Sequence, residues 1–172
     1  MVEENFHAEE FNRLFAGFFD DLYKIAWRIC GREDIAEELA QEAFLRYYRR
    51  INKLPSGNEA KFWLIRVVKN LAFNYEKRKG REKEALRAMS AEPSRSSIND
   101  GERKVFEDAS KEEIRKALLR IPYKLRVVLI LKEFSGYHYA EIARILKISE
   151  GNVKIRVFRA RAHLSGILKE GK

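Results

Sequence analysis

Residues that interrupt helices are scarce in this sequence, which has three prolines and nine glycines among 172 positions. No stretch approaches the roughly 18 consecutive apolar residues that a membrane-spanning helix needs. The acidic start, MVEENFHAEEF, also lacks the basic and then apolar layout of a secretory signal. A single cysteine, Cys30, excludes an internal disulfide. These scarcities predict a cytoplasmic protein without membrane insertion, in which Cys30 is a small buried hydrophobe.

The sequence also has little of what catalysis or metal binding requires. Its three histidines lie far apart, and neither a glycine-rich phosphate loop nor a nucleophile-and-base signature is present. The adjacent acids Asp20 and Asp21, like Glu37 and Glu38, point about 100° apart on a helix, so they do not form a catalytic pair. We therefore expect no enzymatic activity, no cofactor and no metal.

The chain does have enough apolar residues to build cores, because 45% of its residues are hydrophobic and 12% are aromatic. Its net charge of +9 is distributed unevenly. Residues 1–76 carry 11 basic against 13 acidic side chains, whereas residues 111–172 carry 15 against 6. This asymmetry indicates a C-terminal nucleic-acid module and a different main partner for the N-terminal part.

Apolar residues recur with helical spacing along the chain, and we find no convincing strand pattern. The spacing predicts three helices before residue 80 and four after residue 110, each with residues suited to begin or end it. The helices are expected at about 7–30, 34–54, 59–79, 111–120, 123–134, 138–147 and 150–168, with N-caps at Asp34, Asn58 and Ser110 and stops at Gly31, Pro55 and Gly80.

The composition changes between the third and fourth helices. Residues 81–109 are first highly charged and then read SAEPSRSSINDGE, a composition rich in Ser, Pro, Asn and Gly that is typical of a linker. A short helix at about 82–89 is the alternative for the charged part. The sequence therefore predicts an all-α fold in which two small helical domains, 1–80 and 110–172, are joined by a flexible linker at 81–109.

The last two helices have the layout of a helix-turn-helix. Ile142, Ala143 and Leu146 form the expected buried stripe of the first, and Ser149 is placed to cap the second. The exposed arc of that second helix mixes cations with apolar groups, which suits a DNA major groove, although docking onto another protein chain is the alternative. The candidate DNA-binding residues are Lys154, Ile155, Phe158 and Arg159, with Arg156 and Arg161 on the flanks.

Two faces of the N-terminal helices differ from plain solvated surfaces. The second helix gathers acids and one leucine, a mixture that suits docking on a basic protein surface, while a solvated face with an incidental leucine fits equally well. The third helix interleaves aromatics with bases and amides, as single-stranded DNA binding requires, although core packing is favoured for Phe62, Trp63 and Phe73. The candidates are Asp34, Glu38, Gln41, Glu42 and Leu45 in the second helix, and Arg66, Lys69, Asn70, Asn74 and Lys77 in the third.

Three segments together resemble the extracytoplasmic-function sigma factors, the smallest group of the main bacterial sigma family. They are GREDIAEELAQEAFLRYYR at 31–49, FWLIRVVKNLAFNYEKRK at 62–79, and the helix-turn-helix with its preceding helix at 121–164. Three motifs in the right order are far more specific than any one of them, and the resemblance covers nearly the whole chain except the linker.

The resemblance implies a division of labour among these segments. The acidic helix would bind core RNA polymerase, and the basic helix-turn-helix would read the −35 promoter element as duplex. Helix three and the loop before it, which adds Asn58 and Lys61, would melt the −10 element and capture a flipped base near Asn70. Relatives are commonly held inactive by an anti-sigma factor, so we expect such a partner here. The alternative is a conventional helix-turn-helix regulator that acts without core polymerase.

Overall fold

The computed structural model describes residues 2–89 and 108–171, and every regular element in these two stretches is helical. The predicted all-α fold is therefore confirmed, while residues 90–107 of the expected linker lie outside the described residues. Neither stretch contains a helix that is both long and apolar enough to cross a membrane. The N-terminal module consists of α1 (Val2–Cys30), α2 (Glu33–Tyr48), a 3-10 turn (Ile51–Lys53) and α3 (Gly57–Met89); the C-terminal module consists of α4 (Asp108–Arg120), α5 (Tyr123–Leu129), a π-helical continuation (Ile130–Phe134), α6 (Tyr139–Leu146) and α7 (Glu150–Glu170).

Small residues allow the first two helices of the N-terminal module to pack closely. In α2, Ala36, Ala40 and Ala43 are fully buried against the core, and their short side chains permit close helix approach. Phe44 and Tyr47 of the same helix fill the remaining space. The facing stripe of α1 recurs every three or four residues, as an amphipathic helix requires, and comprises Leu14, Phe18, Leu22, Ile25 and Ile29.

The predicted ends of the second helix are partly wrong. The N-cap position is Arg32 rather than Asp34, and no side chain caps the helix there. Asp34 lies in the first turn and accepts hydrogen bonds from Arg32, with Nε to Oδ1 at 3.0 Å. The helix ends at Tyr48, because the chain tightens into the 3-10 turn before it reaches Pro55.

The third and fourth helices also depart from the predicted boundaries. Helix α3 starts at Gly57, so Asn58 lies inside it, and it continues through Gly80 to Met89. Glycine costs only about 1 kcal/mol in a helix interior, which the flanking helix formers of the KRKGREKEALRAM segment offset. Ser110 lies inside α4 rather than at its N-cap. The first nine residues of the expected linker are therefore helical.

The turn of the helix-turn-helix has the N-cap that the sequence predicted for the second helix. Lys147 ends α6 in the left-handed conformation, with φ of 54°, and Ser149 is the N-cap of α7. The Ser149 hydroxyl accepts a hydrogen bond from the backbone N–H of Asn152 at 3.1 Å. The expected buried stripe of α6 needs one correction, since Ile142 and Ile145 are fully buried while Ala143 and Leu146 are only partly covered.

We expect Ser149→Ala to destabilise the C-terminal module by about 1 kcal/mol, because it leaves the Asn152 N–H without its acceptor. Ser165→Ala is the matched control, since Ser165 is exposed in the interior of the same helix, where alanine is the better helix former. Thermal unfolding followed by far-ultraviolet circular dichroism measures both changes. An equal effect of the two substitutions would contradict a capping role for Ser149.

Candidate nucleic-acid and polymerase interfaces

The exposed arc of α7 has the composition that the sequence predicted. Ile155 and Phe158 are 53% and 75% exposed, and apolar side chains exposed together and rimmed by polar residues are typical of a binding surface. Lys154 and Arg159 are exposed beside them. Val153, Val157 and Ala160 on the opposite side are buried and fix the helix to its module. We call the exposed set, Lys154, Ile155, Phe158 and Arg159, the recognition face.

The cations around the recognition face differ in whether they already form an ion pair within the protein. Lys154 forms an exposed ion pair with Glu150 at 3.5 Å, and Arg161 donates from Nε to Glu133 at 2.6 Å. Exposed pairs of this kind contribute little, so a phosphate can replace the carboxylate at small cost. Arg159 has no ion-pair or hydrogen-bond partner among the described residues. Its guanidinium is therefore the one most available to a base edge.

Arg156 lies between the recognition face and the rest of the molecule. Its Nε donates to Asn152 Oδ1 at 3.0 Å, and the side chain is only half-exposed. This hydrogen bond joins consecutive turns of α7 and holds the Arg156 side chain against its own helix. A flanking phosphate contact stays the prediction for Arg156.

Tyr139, at the start of α6, contributes to the recognition face in a way that the sequence reasoning missed. The ammonium of Lys154 lies 5.8 Å from its ring centroid and that of Lys132 lies 4.6 Å away. Cation–π contacts of this kind orient a lysine side chain without neutralising its charge. A tyrosine three residues after the turn glycine, Gly136, at the start of the helix that precedes the basic α7, was the available signal.

On α2 the residues predicted to meet a protein partner share one face. Asp34, Glu38, Gln41 and Leu45 are exposed, and Glu42 is partly covered by an ion pair to Arg46 at 2.7 Å. Leu45 is an apolar residue among acids, and Tyr48 extends the same face by one turn. A face of this composition complements a basic partner that also offers an apolar pocket.

The predicted nucleic-acid residues of α3 are spread along a long surface. Asn58, Asn70, Asn74 and Lys77 are exposed, whereas Lys61, Arg66 and Lys69 are partly covered. Lys61 stacks on the ring of Phe18, with the ammonium 5.4 Å from the centroid.

The three aromatics of α3 divide between core and surface. Phe62 is buried and Trp63 is half-buried beside Tyr47, so the core role favoured for them is confirmed. Phe73 is exposed by almost half, and for this residue the core prediction was wrong. Its ring packs on Tyr123 of the C-terminal module, with centroids 5.2 Å apart.

The two modules meet where part of α3 contacts α5 and α6. Arg66 Nη1 donates to the backbone carbonyl of Arg144 at 3.2 Å, and the Tyr123 hydroxyl donates to the carbonyl of Lys69. Burial lowers the pKa of Lys69, and the positive charges of Arg156 and Arg66 lower it further. Arg66 and Lys69 of α3 therefore lie beside the C-terminal module.

The sequence matches known proteins in both modules. Residues 14–82 match the family described as Sigma-70 region 2, and residues 111–164 match Sigma-70, region 4. The ECF RNA polymerase sigma factor SigW of Bacillus subtilis is 30% identical over 162 residues, spanning 88% of this chain and 84% of that protein. The ECF RNA polymerase sigma factor EcfG of Rhodopseudomonas palustris is 32% identical over 147 residues, spanning 86% and 78%.

Solved structures share the fold. The sigma factor RpoE from Bartonella quintana, in complex with the anti-sigma factor NepR, superposes with a TM-score of 0.71 at 24% identity over 94% of this chain and 98% of that one. CnrH, in complex with the cytosolic domain of CnrY, superposes with a TM-score of 0.68 at 21% identity over 94% and 89%. These comparisons give no support to a conventional regulator. The chain belongs to the extracytoplasmic-function sigma factors of the sigma-70 family, non-catalytic initiation factors that direct core RNA polymerase to promoters.

Proposed function

We propose that three separate surfaces of this sigma factor divide promoter recognition and polymerase binding among them. Residues 1–80 and 110–172 are the two domains, and residues 81–109 are their linker, which begins as the helical continuation of α3 up to Met89. The observation that carries the proposal is the recognition face, where Phe158 and Ile155 are exposed beside Lys154 and Arg159. Two large apolar side chains exposed three residues apart on one helix face, beside two cations, favour a binding surface over a merely solvated one.

The recognition face reads the −35 element as duplex. An α-helix fits the major groove, where guanidinium and ammonium groups reach guanine edges and apolar side chains contact thymine methyl groups. Arg159 is free for a base edge, while Arg156 and Arg161, on the flanks, suit phosphates. Ile155 and Phe158 favour an element that contains thymine.

The exposed part of α3 and the loop before it bind the −10 element as single strand. Asn70 and Asn74 are exposed amides one turn apart, able to bond the edges of unstacked bases. Asn58, Lys61, Arg66, Lys69 and Lys77 supply the polar and positive contacts to the strand. Flipping a base costs a few kcal/mol, which these contacts offset.

The acidic face of α2 docks onto core RNA polymerase. Leu45 is surrounded by Asp34, Glu38, Gln41 and Glu42. The acids complement a basic surface of the polymerase, and Leu45 adds one apolar contact from which water is excluded. The protein acts in the cytoplasm, where the polymerase is, and performs no chemistry of its own.

An anti-sigma factor regulates this protein. Support comes from the two similar structures, in which RpoE and CnrH are bound to NepR and to the cytosolic domain of CnrY. A pull-down from the native cell that recovers polymerase subunits and no second, polymerase-independent partner would count against this part of the proposal.

Core-dependent transcription tests the function directly. Purified protein and bacterial core polymerase are incubated with a genomic fragment library, and the 5′ ends of the transcripts are sequenced. We expect discrete starts that share two spaced upstream elements, one of them containing thymine. Duplex binding without polymerase, and no stimulation of transcription where a control sigma factor works, would overturn the proposal.

A further inference from the structure

The last three turns of α3 extend beyond the core of the N-terminal module. The last fully buried residue of this helix is Ala72, and all residues from 77 to 89 are exposed. We call residues 78–89 the basic extension, because they carry five basic side chains against two acidic ones. At 1.5 Å per residue the basic extension is about 16 Å long. None of its side chains is buried, so the core of the module does not depend on them.

The basic extension continues the surface of α3 that we assign to the −10 strand. Residues separated by three or four positions lie on one face of a helix. Four polar residues of α3 follow one another at these intervals, namely Asn70, Asn74, Lys77 and Arg81. At 100° per residue all four fall within about 60° of one another around the helix, and Arg78 lies about 60° from Arg81. The strand-binding surface and the basic extension therefore form one continuous face.

The chemistry of this face changes at Lys77. Before it, the amides of Asn70 and Asn74 and the half-exposed ring of Phe73 offer hydrogen bonds and a π-surface to unstacked bases. From Lys77 to the end of the helix there is no aromatic and no amide side chain. Cations bind phosphates whatever the base sequence is, and paired DNA exposes its phosphates along both strands. The basic extension therefore suits the backbone of a duplex better than an unstacked single strand.

Two arginines on this face are available to a phosphate. Arg81 forms no ion pair or hydrogen bond with any other described residue. Arg78 pairs with Glu82, with Nε and Oε1 3.8 Å apart, and both side chains are about two-thirds exposed. Such an exposed pair contributes little to stability, so a phosphate can replace the carboxylate at small cost.

We propose that the basic extension binds the phosphate backbone of the duplex directly upstream of the −10 element, through Arg78 and Arg81. The inference rests on the function proposed above, which assigns α3 to the −10 strand and the C-terminal module to the −35 element further upstream. Because the chain runs from the first to the second through the basic extension, this end of α3 points upstream, where the DNA remains paired. Its length corresponds to about five base pairs at roughly 3.4 Å each. These contacts position the upstream edge of the melted region and carry no sequence information.

Salt-dependent binding of the holoenzyme to two DNA probes tests the proposal. Both probes carry the −10 element found by transcript mapping as a single strand, and only the forked probe adds about one helical turn of duplex upstream of it. The test variant, Arg78→Gln/Arg81→Gln, removes two charges and keeps long side chains. The matched control, Lys83→Gln/Arg87→Gln, removes two charges from exposed positions on the opposite side of the same helix.

Each phosphate contact adds about 0.9 to the slope of log Kd against log salt concentration. We expect Arg78→Gln/Arg81→Gln to lower this slope by about 1.8 on the forked probe and to leave it unchanged on the strand probe. The control variant should keep the wild-type slope on both probes. Exchanging the base pairs of the forked probe for another sequence should not alter the effect, because phosphates are the same in every sequence.

Three results would overturn the proposal. Equal slope changes in the two double variants would mean a general attraction without a preferred face. Equal losses on the two probes would assign Arg78 and Arg81 to the single strand. Loss of core polymerase binding by a variant whose circular dichroism is unchanged would make the polymerase the partner of the basic extension.

Failure of the proposed function gives a different result. If the wild type produces no discrete transcript starts with core polymerase, the proposed function is overturned, and this inference with it. If the wild type produces them and the slope on the forked probe is the same for Arg78→Gln/Arg81→Gln as for the wild type, only the role of the basic extension is overturned.

Discussion

Replacing Arg159 by alanine is expected to reduce binding to the protein's own promoter by roughly fivefold to 150-fold, because one bidentate contact to a guanine edge contributes about 1–3 kcal/mol of discrimination. The side chain is exposed on α7, and no other described residue occupies its guanidinium. Binding to unrelated duplex should fall much less, since that binding depends on the total of phosphate contacts.

Arg120→Ala provides the control for Arg159→Ala. It removes the same charge from an exposed position in the same module, where Arg120 pairs with Glu170 at 2.8 Å. Holoenzyme is titrated at fixed salt against the promoter fragment found by transcript mapping and against a scrambled fragment. Equal losses on both fragments would mean that Arg159 contacts only phosphate.

Replacing Phe44 by alanine is expected to destabilise the N-terminal module by about 3–5 kcal/mol, the usual cost of deleting a buried phenylalanine ring. Phe44 is 1% exposed. Its ring meets those of Phe11, Phe15 and Phe19 at centroid distances of 6.0, 5.0 and 6.0 Å. The cavity would lie at the centre of this aromatic cluster, where rigid rings on several sides limit collapse.

Tyr48→Ala is the control for Phe44→Ala, because Tyr48 lies one turn further along α2 but is 57% exposed and contacts only Phe11 among these rings. We expect it to cost less than about 1 kcal/mol. Urea denaturation followed by tryptophan fluorescence reports on the N-terminal module, since both tryptophans, Trp27 and Trp63, lie in it. Similar midpoints for the two variants would contradict a central role for Phe44.

Local sequence patterns predicted most of the features that depend on residues close together in the chain. The spacing of Val153, Val157 and Ala160 identified the buried side of α7, and that in turn identified its exposed recognition face. Ser149 was predicted as the N-cap of α7 because its hydroxyl acts on an amide three residues away. Helix ends were less predictable, since Gly80 and Ser110 have residue types that favour a boundary yet lie inside helices whose other residues outweigh them.

The sequence by itself determined the all-helical class, the two modules and the recognition face, because helical periodicity and capping are properties of residues within a few positions of one another. Only the tertiary structure decided that Phe73 packs on Tyr123 and that Arg126 is buried against the end of α1. Arg126 and Ile29 are 97 residues apart, and nothing local distinguishes this arginine from the exposed ones. Its environment depends on how the two modules pack against each other, and the complementarity of their surfaces decides that packing.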